Sequence, residues 1–150
     1  MENLHPMMVH FPIALLTASW LLEAPAVLFR KPAWQVVSLW NLIFGWIGAL
    51  AAVLAGRVAM ADAKHSMEIY QVMERHERIG YAVLALAAVP LIGRLLSRDR
   101  LSVRQRGAAW VLLGAACAAM AYGAHLGGRL VYEFGVGGSY GRTSGIEVVR

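Results

Sequence analysis

The chain is short of charge and almost without cysteine. Of its 150 residues only 15% are charged, 59% are hydrophobic, and the mean hydropathy is +0.55. Soluble domains carry about a quarter charged residues, so an ordinary water-soluble domain is excluded and a bilayer is indicated as solvent. The one cysteine, Cys117, excludes an internal disulfide and a multi-cysteine metal site. It lies in AACAAM and reads as a small buried apolar residue. No CxxCH motif is present, so haem cannot be attached covalently. Basic patches interleaved with aromatics, the mark of single-strand binders, are absent too, and nucleic acid is not expected as a partner. The formal charge of +5 fits cationic loops facing anionic lipid. No serine is placed as a nucleophile beside a histidine and an acid. Ser66, next to His65, reads as a helix cap.

Four long apolar runs take the place of what is missing. A spanning helix needs about 20 mostly apolar residues, and the runs near 10–29, 33–61, 66–97 and 107–132 qualify. The first has no basic region before it and no clear small-residue cleavage site, so it reads as a retained span rather than a secretory signal. The third begins with a polar stretch in which Met67, Ile69, Tyr70, Val72 and Met73 recur with helical spacing, and Ser66 is its candidate cap. Residues 133–150 form a glycine-rich tail, expected to be loop. The expected fold is all-α: a single domain, 1–150, forming an integral membrane antiparallel four-helix bundle with both termini on one side. Trp34 and Trp110 fall near the span ends, where indole is favoured.

Charge sets the expected orientation. Arg30 and Lys31 lie between the first two runs, and Arg94, Arg98, Arg100, Arg104 and Arg106 lie close together between the last two. Dense basic residues in short loops stay cytoplasmic. The termini are therefore expected on the periplasmic side of a multi-pass inner-membrane protein.

All five histidines fall on that terminal side. His5 and His10 open the first run in LHPMMVHFPIALL; His65 precedes the third; His76 lies before its apolar body; His125 lies two turns from the end of the fourth. His10, His76 and His125 fall at matching depth. Bundles build cofactor sites from side chains at equal height on facing helices, and ionisable residues at membrane depth mark function by default. Imidazole suits Zn, Cu, Fe and Ni ions and the axial positions of haem. Ala14, Gly80 and Ala121 lie one turn from these histidines, and Gly123, Gly127 and Gly128 bracket His125. Small residues admit a porphyrin, and equally a neighbouring helix.

Several charged residues join this end. Arg129, one turn after His125, can hold a haem propionate, pair with Glu133, or reach headgroups. Arg57 lies at similar depth and adds to the propionate reading. Glu77, in ERHERIG, reads either as part of an ion-paired turn or as a carboxylate partner or ligand beside the histidines. Glu23, near the other side, reads as an interfacial partner of Arg30.

HPMMVHFPIALL, HERIGYAVL and AHLGGRLVYEFGVG together resemble the domain of unknown function 2231 family, bacterial membrane proteins with four predicted helices. The likeness covers nearly the whole chain. Similar members are sometimes joined to Rieske iron–sulfur or cytochrome c domains, which implies electron transfer near the outer face of the inner membrane. The resemblance carries over His5, His10, His76, His125 and Arg129 as site positions.

The leading expectation is a membrane electron carrier binding non-covalent haem b. Two of His10, His76 and His125 would be axial ligands, with His5 nearby, Arg129 and Arg57 on the propionates, and a periplasmic redox protein or quinone as partner. The same histidines with Glu77 make an alternative Cu or Zn site, since three protein ligands with an open position resemble catalytic zinc. A third expectation is a non-catalytic assembly subunit of a larger membrane complex, or a homo-oligomer, whose histidines only pack.

Overall fold

Each apolar run becomes one long helix. In the computed structural model, which describes residues 5–61, 66–98 and 100–136, the elements are α1 (His5–Met8), α2 (His10–Leu28), α3 (Pro32–Ala61), α4 (Met67–Leu96) and α5 (Val103–Tyr132). Four helices are long and apolar enough to cross a membrane, α1 and α2 counting as one span from His5 to Leu28. This is a multi-pass membrane protein. His65 and the tail beyond residue 136 lie outside the described residues.

The helix starts follow local chemistry. Ser66 caps α4, its hydroxyl accepting from the Ile69 N–H at 3.4 Å. Helix α5 starts four residues before the expected 107, at Val103. Ser102 and Gln105 form a reciprocal capping box there, which satisfies backbone N–H groups that have no partner within the helix. This moves Arg104 and Arg106 into α5, and Arg94 lies inside α4. Of the five arginines assigned to that connection, only Arg98 and Arg100 lie outside a helix.

One stripe of each helix is turned inward. On α2 it runs Pro12, Leu16, Ser19, Glu23, Ala26; on α3, Ser38, Leu42, Gly45, Ala49, Ala52. On α4 it includes Met73, Val83, Ala87, Leu91 and Arg94, and on α5 Arg106, Leu113, Ala116, Gly123, Leu126 and Leu130. Steps of three and four residues keep such a stripe on one face. Contacts between neighbours pair early residues with late ones. His5 reaches Ala52 while Glu23 reaches Ser38; His76 reaches Gly123 while Glu23, at the other end, reaches Arg106. Neighbouring helices thus run in opposite directions. Helix α2 packs chiefly on α3, and α4 on α5.

The middle of the bundle is apolar: Leu16, Leu42, Ala49, Val83, Ala87, Leu91, Leu113 and Ala116. Lipid tails are as apolar as leucine, so close packing holds membrane helices together. Gly45 shows how close: a Cβ there would lie 2.9 Å from Leu16 Cδ2 and 3.1 Å from the Leu16 backbone nitrogen. Gly114 makes room for the Trp20 indole, which stacks on Trp110 at 5.4 Å. Large apolar side chains such as Phe44, Ile47 and Leu54 face outward, where lipid covers them.

Candidate functional site

The structure brings two of the five histidines together, His5 from α1 and His76 from α4. Their rings meet edge to face, with centroids 6.0 Å apart and planes at 89°. Nδ1 of His5 lies 2.8 Å from the Ala52 carbonyl oxygen, and Nδ1 of His76 lies 2.9 Å from that of Gly123. A carbonyl only accepts, so each Nδ1 carries the proton and donates. In the neutral ring the lone pair then resides on Nε2. Metal-ligating histidines are oriented in this way, by a bond from the other ring nitrogen to a carbonyl or carboxylate.

Glycines give both rings their places. A Cβ on Gly56 would lie 3.0 Å from His5 Cε1, and one on Gly127 would lie 3.4 Å from His76 Cε1. Helical phase explains why these two histidines are drawn in. Stepping back from Leu16 through Pro12 and Val9 by threes and fours leads to His5. Stepping back from Val83 through Gly80 leads to His76, one turn beyond Met73. His10 and His125 are out of phase with these stripes, and both are exposed. His125 lines an open recess with Gly128, Arg129, Tyr132 and Glu133.

The two arginines expected at this site are ion-paired. Arg129 Nε contacts Glu133 at 2.8 Å, and the guanidinium carbon lies 5.9 Å from the Phe134 ring centre. Arg57 Nε lies 3.6 Å from Glu77 Oε1, which also accepts from the Tyr81 hydroxyl at 2.8 Å. Among the described residues, no three His, Cys, Asp or Glu side chains come together as a metal-ion site.

Sequence reasoning missed a polar centre at the other end. Glu23 pairs not with Arg30, which is exposed, but with two buried arginines. Arg94 Nη1 donates to Glu23 Oε2 and Arg106 Nη1 to Oε1, each at 2.8 Å. Ser38 donates to Oε2 at 2.8 Å, and Arg94 Nη2 donates to the Gln35 carbonyl at 2.7 Å. Ser19 donates to the Ser38 carbonyl at 2.9 Å. Every one of the four long helices contributes to this cluster. Charges taken out of water hold only when paired and hydrogen-bonded, and this carboxylate is. The available signal was Glu23 itself, an acid within an apolar span.

Comparison with known proteins fits this architecture. The family described as "Predicted membrane protein (DUF2231)" matches residues 1–139. The chain belongs to this family. No curated protein and no solved structure matches it.

Proposed function

We propose that this family member is a small electron carrier of the bacterial inner membrane that binds b-type haem between His5 and His76. The observation that carries the reading is the imidazole pair, with each Nδ1 committed to a backbone carbonyl. A Zn or Cu ion draws three or four ligands from the protein. The described residues hold no such group, whereas a porphyrin brings four nitrogens and asks the chain for only two. The two imidazoles of His5 and His76 would be enough for haem. Gly56 and Gly127 let the two rings lie directly against α3 and α5.

When bound, haem supplies one-electron chemistry, and its potential follows from axial ligands, hydrogen bonding and burial. The chain's own groups have defined tasks. The Ala52 and Gly123 carbonyls fix the ring orientation and raise imidazole basicity. The apolar middle of the bundle keeps water away from one side. Arg57 and Arg129 are each held by a carboxylate and are not assigned to propionates. The loop arginines Arg98 and Arg100, with Arg30 and Lys31, favour the cytoplasm for the opposite end, which supports reading the histidine end as periplasmic.

Purification in mild detergent after expression with haem supply tests the proposal. A Soret band with about one haem per chain supports it. Colourless protein carrying stoichiometric copper or zinc would replace haem by an ion. Colourless, metal-free protein would leave the histidines a packing role.

A further inference from the structure

One recess at the histidine end serves neither the haem reading nor the packing of the bundle. It is open, about 270 Å³ in volume, and lined by His125, Gly128, Arg129, Tyr132 and Glu133. The span of α5 ends at Tyr132, so the recess lies at the level where lipid headgroups meet water. Gly128 keeps it clear: a Cβ there would meet only Tyr132 Cδ2, at 4.0 Å. Arg129 and Glu133 bond through Nε and Oε2, at 2.8 Å. Among the described residues, both Nη groups of Arg129 and Oε1 of Glu133 have no hydrogen-bond partner, and neither have the His125 ring and the Tyr132 hydroxyl.

We propose that this recess binds a phospholipid whose headgroup joins a phosphodiester to a primary ammonium, as ethanolamine phospholipids do. Charge complementarity selects that headgroup. The two Nη groups form a planar fork that matches two phosphate oxygens, and the His125 N–H and Tyr132 O–H are further donors. Glu133 Oε1 only accepts, so it takes an ammonium N–H. An anion alone, such as a haem propionate or the phosphate of a glycerol headgroup, would meet the Glu133 carboxylate with no cation to offset it. A choline headgroup has the cation but no N–H to donate. Ala118, Ala121 and Ala124, exposed on α5 toward the membrane middle, leave room for an acyl chain beside the helix. The Tyr132 ring, 89% exposed, is of the amphipathic kind that favours this interface. The site stands whether or not haem is bound.

The test is native mass spectrometry of the purified, delipidated protein titrated with ethanolamine, choline and glycerol phospholipids of identical acyl chains. The ethanolamine lipid is expected to bind at least fivefold more tightly than either of the others. Arg129→Gln should weaken it at least fivefold. Glu133→Ala should abolish its advantage over the choline lipid and turn the preference toward the glycerol lipid. Arg57→Gln, which disturbs the other ion pair at this end, should change neither. Thermal unfolding shows that each variant is folded. Glycerophosphoethanolamine, the same headgroup without acyl chains, should not displace the lipid at equal concentration. Equal binding of the three lipids, a wild-type preference for the glycerol lipid, a preference untouched by both recess substitutions, or displacement by the chainless headgroup would overturn the proposal.

Discussion

Arg106 donates to Oε1 of Glu23 across 2.8 Å, although 83 residues separate them in the chain. The contact joins the first long span to the last, and Arg94 binds the other carboxylate oxygen from the third. Removing the acid would leave two guanidiniums buried beside each other. Breaking a buried pair costs about 3–5 kcal/mol. Glu23→Ala is therefore expected to lower stability by roughly that amount, read as an earlier unfolding midpoint in detergent. Unchanged stability would mean the cluster is not a clasp.

Ser38 supplies the neutral donor to the same carboxylate, at 2.8 Å. Ser38→Ala removes that hydrogen bond but keeps both ion pairs. The expected cost is about 1–3 kcal/mol, smaller than for Glu23→Ala. Measuring both variants in one unfolding series checks the order.

Glycine spacing gives a second pair of contrasting outcomes. Gly45→Ala would drive a methyl group to 2.9 Å from the Leu16 side chain and 3.1 Å from its backbone nitrogen. Because backbone cannot yield like a side-chain tip, a loss of about 1–3 kcal/mol is expected. Gly93→Ala meets nothing within 4 Å and should gain up to about 1 kcal/mol from helix propensity.

Gly56 separates fold from cofactor. A Cβ at this position would lie 3.0 Å from His5 Cε1, and α1, which carries His5, has only four residues. Gly56→Val is expected to push the His5 ring from its place while the four long helices persist. Haem content after purification should fall severalfold, with helical circular dichroism unchanged.

Much of this was legible in the sequence. The four spans follow from apolar length alone; the first starts at His5 rather than 10 and the last at Val103 rather than 107, and the other ends came within one residue, helped by Pro32 and Ser66. Two features were not legible, for different physical reasons. The partners of Glu23 lie 71 and 83 residues away; sequence proximity offered only Arg30. Depth alone grouped His10, His76 and His125. Depth fixes height along a helix but not rotation about it. Extending the inward stripes by steps of three and four would have selected His5 and His76 and left His10 and His125 outside. The capping box at Ser102 and Gln105 was present as a motif and would have moved Arg104 and Arg106 into α5.

The most direct measurement is a reduced-minus-oxidised visible spectrum of the haem-supplied protein beside its His5→Ala, His76→Ala and His10→Ala variants. The account predicts a Soret band with sharp α and β bands in the wild type and in His10→Ala, and their loss or conversion to a five-coordinate spectrum in His5→Ala and His76→Ala. A wild-type protein without these bands, or bands that survive loss of both His5 and His76, would contradict it.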